Sequence, residues 1–311
     1  MMPLLNKLFR KKKLLTVSLL LSGGGLLSLD FSGPEKKSAA TLPLPTSPLI
    51  SFTSSTSNPV KINQGKSLFE QNLPPLFPHP EPEDWVSLRI LKDHGAVFVA
   101  QGSVIPPSII FANADHCLNW QAKVSTRREK IGGIPIELQT EAMNALLAAR
   151  REAASKNLRI TPRGKLAARR SYHDTEKIWS RRVIPGLAYW QRRGKLDAQE
   201  ADRIRMLAPA GQVKEVLLLE AQGLYFSKDF SKSVLYSGSA PGASQHISML
   251  ALDINEYNQA GVRAILARHG WFQTVVSDLP HFTYLGTTQS ELPALGLKKT
   301  VKQGRIYWTP A

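Results

Sequence analysis

The sequence is poor in cysteine, in acidic residues relative to basic ones and in long apolar runs, and each shortage narrows the field. Cys117 is the only cysteine, so no intrachain disulfide forms and the fold is held by its core and by any metal it binds. Asp115-His116-Cys117 sets a thiol beside an imidazole, but adjacent residues on a helix or strand point apart and cannot share a proton in line. The thiol therefore reads as a small buried apolar group. Asp+Glu total 24 against 40 Lys+Arg, a formal net charge of +16, which suits an anionic partner. Zinc-finger spacing, an aromatic-basic strand signature and a basic helix backed by heptads are all missing, which sets nucleic acid aside and leaves a membrane surface or an acidic envelope polymer. The apolar run from Leu14 to Leu21 is short and is followed by Gly23-Gly24-Gly25, marginal for a spanning helix.

What is present begins with Lys7, Arg10, Lys11, Lys12 and Lys13 ahead of that apolar run, the layout of an export signal. Residues 1–36 are expected to be a cleaved signal or an uncleaved N-terminal membrane anchor, with the basic side in the cytoplasm. The protein is thus expected outside the cytoplasm, in the periplasm or cell envelope. Residues 37–83 are dense in Ser, Thr and Pro and read as a disordered linker. Ordered structure is expected over 84–311, with 84–130 as an accessory layer and 131–311 as a catalytic core.

Within that core the pattern is α+β. Thr140 is placed to cap a helix bearing Met143, Leu146 and Leu147. Leu158 to Gly164 reads as a strand and turn. Ser171 and Asp174 form a capping box for a helix through Ile178 and Trp179, which Pro185 should kink or end. A helix is expected over Val213 to Leu219, strands near Leu224–Phe226 and Val234–Tyr236, a helix over Tyr257 to His269 stopped by Gly270, and a strand over Trp271 to Val276.

The chemistry concentrates at Ser244-Gln245-His246, Asp253 and Asp278-Leu279-Pro280-His281. Met249 to Leu252 with Ile254 reads as a buried strand, with Asp253 on the face of Ala251 and Met249, while Leu250, Leu252 and Ile254 enter the core. His281 opens a second strand, so neighbouring strands bring two imidazoles and a carboxylate to one point. Three protein ligands with a fourth tetrahedral position open mark a catalytic zinc, and Asp278 is a spare carboxylate for proton transfer. His94, His116, His173 and His269 lack such partners and read as surface or helix-end groups. Arg169, Arg170, Arg181 and Arg182 have a bland reading as a solvated helix face.

These residues resemble the signature of the zinc D-alanyl-D-alanine carboxypeptidase family of the VanY type: Ser244-x-His246, six residues, Asp253, then an acid, two residues and His281. The similarity covers Ser244 to Gly286 and extends more weakly to Arg170-Ser171-Tyr172. The resemblance implies zinc bound by His246, Asp253 and His281, Asp278 as general base and Arg170 on the substrate carboxylate. Arg163 is a rival for that last role, and Ser244 is a candidate to bond substrate or orient a ligand. It implies a small antiparallel sheet carrying the zinc site, flanked by helices, and hydrolysis of the terminal peptide bond of peptidoglycan stem peptides. Alternatives are an endopeptidase on the same polymer and a zinc-stabilised wall-binding domain. Departures are Asp278 where the family has Glu, Pro280 where it has Trp, Met249 where it has Gly and Thr175 where it often has Gln. The shorter Asp278 withdraws its carboxylate by roughly 1–1.5 Å, comparable to a misplacement that costs about a hundredfold in rate.

Overall fold

The computed structural model describes residues 65–311. The expected export segment and the first part of the linker lie outside the described residues. Residues 65–83 depart from the expected linker. Ser67 and Glu70 form a capping box for a short helix α1 (Leu68–Gln71), and Phe69, Leu73 and Phe77 are buried in the main core. Only Phe69 of the three is helical; Leu73 and Phe77 follow in turns, and their burial shows that the surrounding prolines do not keep this segment off the core.

Asp84 caps α2 (Trp85–His94), which passes into a 3-10 turn, Gly95–Val99, buried throughout. Asn113 caps α3 (Ala114–Gln121). Strands β1 (Thr126–Ile131) and β2 (Ile134–Gln139) form an antiparallel hairpin. Its turn, Gly132-Gly133, has φ +57° and +83°, the double left-handed conformation that matches hairpin twist and that glycine adopts without strain. One core cluster runs from Phe69 to Trp308, so residues 84–130 share buried core with 131–311, and the 130/131 boundary falls inside β1.

The helical layer comprises α4 (Thr140–Ser155), α5 (Tyr172–Arg192), α6 (Ala198–Met206) and α7 (Pro209–Ala221). Thr140 is the first residue of α4 rather than its cap, and no side chain caps that end. The Ser171/Asp174 capping box of α5 is formed as expected. Pro185, however, neither ends α5 nor stands at its boundary. The buried stripe of Trp179, Val183, Gly186 and Leu187 continues through it, and Gly186 leaves room for the Phe226 ring, which a Cβ there would meet at 2.3 Å. Leu158 to Gly164 makes only an isolated bridge, Pro162 to Ile254, because the next N–H groups turn elsewhere, Asp253 to the Ala167 carbonyl and Thr161 to the Glu256 carboxylate. Leu224–Phe226 is not a strand, and Val234–Tyr236 is a 3-10 turn. Buried Glu220 of α7 accepts from the backbone N–H of Phe226 (3.1 Å) and Val234 (2.6 Å), replacing the strand partners those groups would need.

The site-bearing sheet has the antiparallel order β3 (Ala251–Asp253), then β5 (His281–Tyr284), then β4 (Trp271–Phe272), with α8 (Ala260–Arg268) between β3 and β4 in sequence. β4 is shorter than expected: after Phe272 the Gln273 carbonyl accepts from Trp308 N–H. A hairpin of β6 (Leu297–Lys302) and β7 (Arg305–Pro310) completes an α+β fold of small antiparallel sheets flanked by helices. Among the described residues no helix is long and apolar enough to cross a membrane.

Candidate metal centre

Ser244 opens a 3-10 turn, Gln245–Ser248, by accepting from the backbone N–H of His246 (3.3 Å). The turn ends at Met249, a buried residue with φ +59°. That left-handed conformation favours glycine and is strained for other residues, which accounts for the glycine that the resemblance expects there. The expected strand is therefore shorter, starting at Ala251. Leu250, Ala251, Leu252 and Ile254 are all buried, so both faces of this strand meet protein rather than one meeting solvent. Antiparallel pairing sets Asp253 directly across from His281, and His246 reaches the same point from the turn.

The three donor atoms form a nearly equilateral triangle. His246 Nε2 lies 3.1 Å from His281 Nδ1 and 3.4 Å from Asp253 Oδ1, and the third edge, His281 Nδ1 to Asp253 Oδ1, is 3.3 Å. With zinc bonds of about 2.0–2.1 Å, tetrahedral geometry places donor atoms roughly 3.3–3.4 Å apart. The outer atoms of the same groups decide what the inner ones can be. His246 Nδ1 is 2.8 Å from the Ala168 carbonyl oxygen, which can only accept. His281 Nε2 is 2.7 Å from Gln245 Oε1, and the Gln245 amide is oriented by its Nε2 donating to the His94 carbonyl (2.7 Å). Both ring protons therefore sit on the outer nitrogens, assigned from this network. The inner nitrogens then aim lone pairs at one another and at a carboxylate oxygen, an arrangement that repels unless a cation fills it. Asp253 Oδ2 is held by Arg170 Nη2 at 2.7 Å. These residues fit a zinc ion, and each donor has its orienting partner.

The electrostatics agree with a neutral His246 and an ionised Asp253. Burial, reinforced by the Arg170 charge, lowers the His246 pKa to about 4. Burial acts to raise the Asp253 carboxyl, and the Arg170 charge on its Oδ2 acts to lower it. Asp278 is different: burial pushes its carboxyl up to about 6.

The donors line a cleft of about 470 Å³ whose wall also carries Arg163, Ser244 and Asp278. Asp278 is outside the converging set; its backbone closes the turn into β5, its carbonyl accepting from His281 N–H (3.3 Å). Arg170 is brought to the centre, but as partner to Asp253, and its Nε donates to the Leu166 carbonyl. Arg163 is exposed, with its guanidinium 5.5 Å from the Tyr257 ring centre. Ser244 orders the turn through His246 N–H. His94 is the last residue of α2, as a helix-end reading has it, but it is buried rather than at the surface, and its ring bonds the Leu235 carbonyl at 2.8 Å. Cys117 is buried, and burial raises its thiol pKa, as its apolar reading requires. Sequence reasoning missed Gln245 and the Ala168 carbonyl. Gln245 had one signal, its place between Ser244 and His246; a backbone carbonyl has none.

No family model matches the chain, and comparison with curated proteins finds no match. Among solved structures, the chain is similar to a zinc-bound mutant of a vancomycin-resistance D,D-pentapeptidase, VanY, from a VanB-type resistance cassette. The two are 16% identical, the alignment covers 53% of this chain and 82% of the other, and the TM-score is 0.31. The case for a metal rests on the donor geometry of the chain itself.

Proposed function

We propose that this chain is a zinc-dependent peptidase acting as a D-alanyl-D-alanine carboxypeptidase on peptidoglycan stem peptides. The observation that carries the reading is the pair of inward lone pairs of His246 and His281 beside Asp253 Oδ1, with every outer donor atom already matched. His246, His281 and Asp253 would hold the ion, which supplies Lewis acidity towards a carbonyl and makes water acidic enough to use near neutrality. Asp278, with its carboxyl raised to about 6, is suited to take a proton at neutral pH and return it to a leaving amine. Arg170 keeps the Asp253 carboxylate ionised and oriented. The net charge of +16 would favour residence on an anionic envelope polymer after export by the N-terminal segment.

One observation favours internal cleavage instead. Arg170 spends Nη2 on Asp253 and Nε on the Leu166 carbonyl, which leaves Nη1 for a substrate carboxylate, and a weaker grip on a free C-terminus favours internal cleavage. The test is mass spectrometry of a stem pentapeptide ending in D-Ala-D-Ala, incubated with the zinc-loaded chain and with an Asp278→Ala variant. Loss of one terminal alanine, abolished in the variant, is the expected result. Cleavage within a cross-linked substrate, with the pentapeptide left intact, would replace the reading by an endopeptidase.

A further inference from the structure

Helix α5 presents Ile178 and Arg182, one turn apart, to the wall of the metal cleft, and the segment after the Val234–Tyr236 turn presents Ser237 to the same wall. Arg182 Nε and Ser237 Oγ are both shut off from solvent without a hydrogen-bond partner among the described residues. Arg182 also makes no ion pair there. A polar atom withdrawn from water without a partner is costly, and the rest of the Arg182 side chain is half-buried on the cleft wall. The other cations of the cleft are differently placed. Arg170 is bound to Asp253 and to the Leu166 carbonyl, while Arg163 and Lys165 stand exposed.

From this contrast we infer that Arg182 and Ser237 form a subsite for a carboxylate of the bound peptide, separate from Arg170. A carboxylate seated against the open end of the Arg182 guanidinium, with Ser237 on the same wall, supplies the countercharge that Arg182 lacks and, with a small shift of the wall, a partner for the two closed donors. The site deepens the reading of the cleft as a peptide-binding metal centre and rests on it. A peptide offers such a group as its free C-terminus or as an internal acidic residue, and the two are separable by experiment.

The test is calorimetric titration of the full zinc-loaded chain carrying Asp278→Ala, so that the peptide survives. One pair of probes is a pentapeptide ending in D-Ala-D-Ala as free acid and as C-terminal amide. The second pair keeps the amide end and carries either an internal Glu or Gln. The parent chain should prefer the acid in one pair, by on the order of ten- to a hundredfold for a charge-assisted bond. Arg182→Gln should erase that preference with the neutral peptide's affinity unchanged, and Ser237→Ala should narrow it. The pair that responds identifies the carboxylate. No preference in the parent, a preference that survives Arg182→Gln, or equal weakening of acid and neutral peptides would overturn the subsite. Zinc content of the same samples and the mass-spectrometric assay report on the underlying reading separately.

Discussion

The cleft wall built from the 244–249 turn, β3 and β5 and the wall built from α5 and Ser237 both face the same space, yet they treat their polar atoms differently. On the first, each donor is oriented by a second group: Ala168 for His246, Gln245 for His281 and Arg170 for Asp253. On the second, a guanidinium N–H and a hydroxyl are left unmatched. Preorganisation of metal ligands needs partners from the protein itself. Recognition of a transient ligand needs donors kept unspent until it arrives.

Breaking the first wall at a donor should have the largest effect. His246→Ala leaves two of the three converging groups and should abolish stoichiometric zinc, measured as metal per chain after dialysis; retention of one zinc per chain would refute the centre. Gln245→Leu keeps all donors but removes the acceptor for His281 Nε2 and the brace to His94. Zinc affinity should fall by about 10–100-fold, read by competition with a chelator. An unchanged affinity would mean that the His281 ring is held by packing alone.

The smallest expected effect lies behind the first wall. Arg169, next to Arg170, is bound by Glu137 through Nη1 at 3.0 Å and by Gln121 at 2.9 Å. Burial acts to raise the Glu137 carboxyl, but hydrogen bonds from Thr126, Arg169 and Arg128 outweigh it, so its pKa lies below the ordinary 4.5. A carboxyl depressed in the folded state stabilises it above the ordinary pKa, and the contribution is lost as pH falls through the folded value. Glu137→Gln should therefore cost about 1–2 kcal/mol at pH 7 and progressively less as pH falls through the depressed folded-state pKa, measured by denaturant titration at pH 7 and along the acid limb. An equal cost throughout would assign the loss to packing.

Much of the first wall is legible in the sequence, because spacing and alternation fix which residues of two short strands meet; Asp253 opposite His281 follows from that. The second wall is not. Arg182 reads as one of a run of helix arginines, and what distinguishes it is the absence of a partner, which only packing reveals. Pro185 and the region around Glu220 mislead for a related reason. A buried stripe carries α5 through the proline, and a single buried carboxylate replaces the strand pairing that Leu224–Phe226 and Val234–Tyr236 suggest. In the expected linker, Leu73 and Phe77 are buried from turns rather than from a periodic element, so no pattern in the proline-rich sequence marks them.

That first short helix has a practical consequence. Phe69 sits against Gly95, where a Cβ would meet its ring at 3.1 Å, and against Gly296, where a Cβ would meet its backbone N at 2.1 Å; Phe77 meets Phe98 in a tilted pair, 4.8 Å between ring centres. A chain trimmed at residue 84, where composition suggests the folded part begins, would bare the apolar seats of Phe69, Leu73 and Phe77. A contiguous exposed patch of that kind promotes self-association. Trimming before Ser67 keeps the plug and should give the better-behaved protein.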